Sequence, residues 1–394
     1  MIFIMMNDLA EWNRIAFHDI AVEGSDGWFC NIGYNALFHI NIETGMTTLV
    51  SFLPYENNEK KELYAPIIYY KEKLYIAPRN GSYVIQYDLK EDIFIKKNLD
   101  VPKYGEEENN HLFNGTAIID DKIYFFPGRF HAIIRICVED FSISYSDDWY
   151  EELVPFFYVH EKGKFIFHQV HYNACGKVLM PCWRSSKAVD MDLLSGTFNL
   201  FDCGDMSNGV ALSDMVEIED EYWFSRKDGS GIWCVKSDNK ILHVTAEQLG
   251  ISYAGGCFLK VYKKWLYIIP FCGGAVVRYN TESNYCEIVH EFPKQMDISQ
   301  KWLLYKNNAC CAKIISEKML LIYQNYNRKI ILIDMDTSFV KELDICLNDN
   351  VESGYRRHSI IMSDGKIVEK KEQCLRDFIF YLGDEINKYE AIER

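Results

Sequence analysis

Residues 64–95 read YAPIIYY-KEK-LYIAP-RNG-SYVIQY-DLKED-IFI. Four apolar runs of three to seven residues are separated by short polar turns. Runs of this length rich in Tyr, Ile and Val, with a turn signal after each, read as antiparallel strands. The strands are named a, b, c and d in chain order. Strand b recurs along the whole chain: GWFCNI from Gly27, KLYIAP from Lys73, KIYFFP from Lys122 and KVLMPC from Lys177. EYWFSR from Glu221, WLYIIP from Trp265 and KMLLIY from Lys318 complete the series, at spacings of 44 to 55 residues. Strand c recurs at Ala36–Ile42, Ala132–Cys137, Ala275–Tyr279 and Lys329–Ile333. An Asp or Asn often ends it, at Asp88, Asp192, Asn280 and Asp336. Such residues turn the chain by bonding their own backbone. An aromatic residue then opens strand d, at Phe94, Phe198, Tyr285 and Phe339.

A period of 40–50 residues with four strands per unit predicts an all-β protein, a β-propeller of four-stranded antiparallel blades. Seven blades fit best, with six or eight as alternatives. Aromatic residues make up 15% of the chain, which suits large rings filling the wedge between diverging sheets. Longer steps place insertions at 146–164, with a short helix around 149–153, and at 293–308. Ser359–Met362 and Lys366–Val368 read as an extra hairpin that seals the gap between last and first blades. Leu375, Phe378, Ile379, Leu382, Ile386 and Tyr389 share one face at helical spacing. The domain division expected is a propeller over 1–369 and an amphipathic C-terminal helix over 370–394 packed on it.

The repeat resembles that of Kelch-like propellers of the galactose-oxidase type over roughly residues 15–350. The shared pattern is an apolar strand, a Tyr- or Trp-bearing strand, an Asp-terminated strand and an aromatic fourth strand. The Gly-Gly pair typical after strand b is present only at Gly273-Gly274. Pro78, Pro127, Pro181 and Pro270 stand at or near that place in other units, where proline would stop the strand. No copper or oxidase residue set carries over.

Composition bounds the function. The formal charge of −15 argues against a nucleic-acid binder, which needs a basic footprint. No apolar run is long enough to cross a bilayer, and the start, MIFIMM, lacks the basic flank of a signal peptide. A cytoplasmic location without membrane attachment is therefore expected, and it makes the Asn114-Gly-Thr116 acceptor motif irrelevant. The 13 cysteines include no C-x-x-C pair and sit largely in apolar stretches, as in Trp28-Phe29-Cys30, Ile136-Cys137-Val138 and Trp233-Cys234. Reduced thiols used as small hydrophobes explain them, with no metal site.

In a propeller the b–c loops usually lie on the face where ligands bind. Arg79, Arg129, Arg184 and Arg226 occupy these loops, and guanidinium groups bind carboxylate or phosphate bidentately. The opposing reading pairs these arginines with carboxylates on the same face. Trp183, Tyr34, Asn35, Gln324 and Asn325 occupy comparable loops and would add stacking or hydrogen bonds. His18, His111 and His168 stand near the starts of strands a, where they would line the axial channel. His168-Gln-Val-His171 has the wrong spacing for a metal pair on a strand. Asp120-Asp121 and Asp147-Asp148 read as turn residues. No nucleophile elbow, HExxH, P-loop or dinucleotide fingerprint occurs, so no catalytic residue and no cofactor is assigned. The leading expectation is a non-catalytic binding or scaffolding propeller. One face would hold an anionic small molecule, a glycan or an acidic peptide. An enzyme acting on a sugar or peptide, with its groups drawn from several blades, is the alternative.

Overall fold

The computed structural model describes residues 15–33, 35–54, 56, 62–105, 111–162, 164–173, 175–203, 210–236, 240–251, 253–293, 309–325, 327–347, 356–362 and 367–373. Seven four-stranded antiparallel blades are present, and the protein is a β-propeller. Blade 1 consists of Ala21–Glu23, Asp26–Cys30, Ala36–Asn41 and Met46–Phe52. Blade 2 is Tyr64–Tyr70, Lys73–Pro78, Tyr83–Asp88 and Ile93–Asn98. Blade 3 is Phe113–Ile119, Lys122–Pro127, Ile133–Cys137 and Ile143–Ser146. Blade 4 is His171–Tyr172, Lys177–Pro181, Lys187–Asp192 and Phe198–Asp202. Blade 5 is Leu212–Ile218, Glu221–Arg226, Gly231–Val235 and Ile241–Thr245. Blade 6 is Tyr253–Tyr262, Trp265–Gly273, Ala275–Asn280 and Cys286–Glu291. Blade 7 is Cys311–Ile314, Met319–Gln324, Lys329–Asp334 and Val340–Asp344. The chain forms two compact units, 1–99 with 343–394, and 100–342. Blades 1 and 2 belong to the first, blades 3 to 6 and most of blade 7 to the second.

Local chemistry explains the repeat. The a–b turns of blades 2, 3 and 5 place two consecutive residues at positive φ: Lys71 and Glu72, Asp120 and Asp121, Glu219 and Asp220. Two left-handed residues make the tight hairpin turn whose twist matches its strands. Asp120-Asp121 is therefore turn chemistry, as expected. At the c–d turns one carboxylate or amide oxygen accepts two backbone N–H groups. Asp88 Oδ1 takes those of Lys90 and Glu91, Asp192 those of Leu194 and Ser195, and Asn280 those of Glu282 and Ser283. In blade 7 this residue is Asp334, not Asp336, because strand c ends there and Asp334 Oδ1 caps Asp336 and Thr337.

The blade faces pack through large rings and branched side chains. Between blades 1 and 2, Tyr64, Ile67, Leu74, Ile76, Tyr87 and Phe94 are buried together with Cys30 and Leu37. Tyr87 and Phe94 stack at 4.3 Å. Each fully buried ring contributes roughly 2–3 kcal/mol of transfer free energy. Phe94 is completely buried, whereas Tyr285 and Phe339 stand mostly in solvent one residue before their strands. Strand b stops at Pro78, Pro127 and Pro181, but in blade 6 it runs through Pro270 to Gly273. Pro270 faces Cys257 at a register shift in strand a, where the ladder is already broken and the missing N–H costs nothing. Buried thiols serve as small apolar groups: burial pushes Cys182 up to about 11 and Cys234 up to about 12.

Two expectations about the C-terminal region change. The hairpin is real and longer, Arg356–Met362 with Ile367–Gln373. It does not bridge the last and first blades. Its first strand lies parallel to strand d of blade 2, Ser359 beside Ile93 through Met362 beside Lys96, extending that sheet to six strands. Cys346–Leu347 likewise adds in parallel to strand d of blade 1. The second strand of the hairpin carries on to Gln373, so the helix expected from 370 does not begin there. The rest of that expected helix, and the insertion from 294 to 308, lie outside the described residues. The insertion after blade 3 contains the expected helix, Asp148–Leu153, anchored by the fully buried Trp149 and Leu153.

Candidate functional site

In the second unit, the loops entering strands a and the b–c turns meet. His111, at φ +58°, ends the loop into blade 3, and its carbonyl accepts the N–H of Arg129 at 2.9 Å. Phe165 holds the corresponding place before blade 4. The His111 ring sits edge-on to Phe165 at 4.9 Å, and Phe165 lies 5.5 Å from His168. His168 is 4.6 Å from Trp183 and 4.9 Å from Phe271 of blade 6. Phe258 backs Phe271 at 4.6 Å. The result is a continuous wall in which His111, Phe165, His168 and Trp183 are half-buried over a buried base of Phe258 and Phe271. Lys227 Nζ lies 4.7 Å over the Trp183 ring and 2.5 Å from Glu161 Oε2. Burial lowers the Lys227 ammonium below its ordinary value, while Glu161 pulls the other way. The wall offers ring faces for stacking and one cation–carboxylate pair at its rim.

The structure gives the four arginines separate tasks. Arg79, in the first unit, donates from Nε to Glu62 Oε2 at 3.2 Å. Arg184 donates to the carbonyls of Lys164 and Phe165 and lies 5.3 Å over Phe157, so it fastens the insertion. Arg226 Nη2 stands 3.2 Å from Asp228 Oδ2 with its plane 5.4 Å from Trp233. Its buried Nε has no hydrogen-bond partner. Arg129 is buried at its b–c turn. Arg226 thus answers to its own loop, whereas Arg79 and Arg184 fasten the segments that precede strand a of their blades.

The polar loop residues divide in the same way. Asn35 donates to the Leu53 carbonyl at 2.8 Å, a structural bond within blade 1. Gln324 is buried at the end of its strand, with Nε2 unpartnered, and Asn325 accepts from the Tyr323 hydroxyl at 3.3 Å. Tyr34 lies outside the described residues. Of the three histidines, His111 and His168 join the wall with Trp183. His18 belongs to the first unit, 3.7 Å from Glu62.

Several participants carried no local signal. Glu161 and Lys227 are 66 residues apart in sequence. His171 Nε2 meets Asp214 Oδ1 at 2.6 Å, 43 residues away. Asp214 is fully buried and also accepts the N–H groups of Met215 at 2.8 Å and of Leu259, in the next blade, at 2.7 Å. Asp19 does the same between blades 1 and 2, with Ile20 at 2.9 Å and Ile67 at 3.0 Å. A positional comparison of residues just ahead of strands a would have singled out Glu62, His111 and Phe165. Among the described residues no group of His, Cys, Asp and Glu is arranged to hold a metal ion. A shallow cavity of about 310 Å³ on blade 4 is lined by Asn173, Lys177, Asp190 and Asp192, groups already engaged in turns and ion pairs.

No protein-family model and no curated protein matches the chain. Solved structures match in fold. YCF48 bound to a D1 peptide has 12% identity and a TM-score of 0.53, over 81% of this chain and 91% of that one. The hydrazine synthase of Kuenenia stuttgartiensis has 11% identity and a TM-score of 0.52, over 82% and 96%. PorZ, a surface component of the type-IX secretion system of Porphyromonas gingivalis, has 10% identity and a TM-score of 0.50, over 84% of this chain and 39% of that one. At these identities the likeness is one of fold alone.

Proposed function

We propose that this Kelch-like propeller is a non-catalytic binding protein of the cytoplasm. Its ligand is an acidic glycan or acidic peptide held on the wall of His111, Phe165, His168 and Trp183. The observation that carries this reading is the contiguity of those half-exposed rings with the Lys227 ammonium above Trp183. Sugar or peptide apolar faces stack on the rings. Lys227 has three donors, of which Glu161 uses one, so a ligand carboxylate takes another. What supports the compartment is the use of Cys30, Cys182, Cys203, Cys234, Cys257 and Cys311 as buried apolar filler. No helix among the described residues is long and apolar enough to cross a membrane.

The test is an array of uronic-acid glycans and Asp/Glu-rich peptides, followed by tryptophan fluorescence titration of the best binder. Trp183→Ala should weaken it by about tenfold or more, and Lys227→Met should remove the preference for the acidic member of each pair. Unchanged affinity in both variants would exclude the wall.

A second reading, an enzyme, draws on the His171–Asp214 pair. A carboxylate that accepts from Nε2 leaves Nδ1 as the basic nitrogen. It predicts substrate turnover on the same array that His171→Asn abolishes without loss of binding.

A further inference from the structure

In the first unit, one carboxylate oxygen gathers two nitrogen groups. Arg79 Nε donates to Glu62 Oε2 at 3.2 Å, and His18 Nε2 lies 3.7 Å from the same atom. The three side chains are 10 to 18% exposed, while His18 Nε2 itself is buried. The backbone is shaped around this contact. Glu62 has φ +53°, a left-handed conformation that disfavours any residue bearing a Cβ, and its N–H is pinned to the Ile32 carbonyl at 2.8 Å. The next carbonyl, of Leu63, accepts the N–H groups of Arg79, Asn80 and Gly81 together, which fixes the arginine's turn against it. Burial, and then the nearby Arg79 charge, lower His18 to about 4, so its ring is neutral at physiological pH. The Glu62 carboxylate, the Arg79 guanidinium and the neutral His18 ring therefore lie together, with the Asp19 carboxylate near enough to act on the ring.

We propose that His18, Glu62 and Arg79 form a second binding site, one for adjacent hydroxyl groups of an uncharged sugar or polyol. An anion approaching Arg79 meets the Glu62 carboxylate, and a cation approaching Glu62 meets the guanidinium. A hydroxyl donates to the first and accepts from the second at once, and a neutral imidazole serves a neighbouring hydroxyl in either sense. This site is built from other residues than the aromatic wall and does not rest on it.

The test follows the His18 ring signals by NMR, assigned by their loss in His18→Gln. Glucose, galactose, mannose and myo-inositol are the neutral probes, and glucuronate and inorganic phosphate the charged ones. At least one neutral probe should shift the His18 signals saturably, and more tightly than either anion. Glu62→Gln should weaken that probe about tenfold or more and strengthen glucuronate, because the Glu62 charge no longer repels it. Arg79→Gln should weaken the sugar without any gain for glucuronate. Arg79→Lys, which keeps the charge but loses the fork, covers the event that Arg79→Gln does not fold, and should weaken the sugar as well. Silence of the His18 signals toward all four neutral probes overturns the proposal. So does tighter binding of phosphate or glucuronate to the unmodified protein, or a Glu62→Gln variant that binds the sugar unchanged. Trp183→Ala leaves the His18 response intact, which separates this site from the wall.

Discussion

Lys227 Nζ and Glu161 Oε2 lie 2.5 Å apart, which ties the insertion ahead of blade 4 to the b–c turn of blade 5. The pair sits against Trp183 and opposes the desolvation of the lysine. Removing the carboxylate should therefore move the ammonium further down. Glu161→Gln is expected to raise the labelling rate of Lys227 by an amine-reactive ester near neutral pH, read by peptide mass spectrometry. An unchanged or slower rate would show that Glu161 has no hold on it.

Asp214 links three elements at once: the His171 ring, its own strand and the Leu259 N–H of the next blade. Replacing it strands two buried N–H groups. Asp214→Ala should cost about 3 kcal/mol, read as a lower urea midpoint with little change in slope. Asp19→Ala removes the analogous clasp between blades 1 and 2 and should also lower the midpoint. Equal and negligible effects would mean that these clasps do not hold blades together.

His18, His171 and His290 have lowered values. Burial dominates for each: His18 falls to about 4, and His171 and His290 fall below their ordinary value. The unfolded chain binds protons at these positions first, so stability rises with pH across the interval. Stability should be fully present above about pH 7 and decline as pH falls from about 6.5 toward 4. His18 alone accounts for roughly 3 kcal/mol of that decline. Carboxylates whose values are lowered, such as Asp88 and Asp334, lose their contributions only in a more acid window. Denaturant titrations of His18→Asn against the unmodified protein between pH 7 and 4.5 measure the difference. Parallel curves would remove His18 from the account.

Gly45 ends the c–d turn of blade 1 at φ +77°, and a Cβ there would stand 2.0 Å from the Asp344 carbonyl oxygen. Gly45→Ala should push away the strand Cys346–Leu347, whose Cys346 N–H bonds the Gly45 carbonyl at 3.0 Å. Limited proteolysis should then cleave around residues 344–348 faster, with the blades still folded. Unaltered cleavage would mean that the segment is held by other contacts.

The fold was legible because its determinants are local. Turn aspartates, strand length and the recurring Tyr/Trp run all act within one blade, and Tyr64 to Asn98 matches its reading almost residue for residue. Where partners come from distant segments, the legibility ends. Arg79 is visible in the b–c loop, but its Glu62 partner lies in the preceding loop, in a polar stretch with no pattern of its own. Trp183 and His168 were singled out separately, and only packing unites them with Phe271. The parallel addition of 346–347 and 356–362 is likewise a matter of edges, which no period reveals.

Those added strands set a schedule. The open N–H and C=O rows along strands d of blades 1 and 2 are covered by residues 346–347 and 356–362. These residues leave the ribosome about 270 to 300 positions after the edges they cover, at roughly 5–20 residues per second. For that interval blades 1 and 2 carry unsatisfied outer edges, the kind that pairs with a neighbouring chain. Crowding of nascent chains on one message is thus the moment of greatest hazard for this protein, and completion of its first unit waits on strands made well after blades 1 and 2.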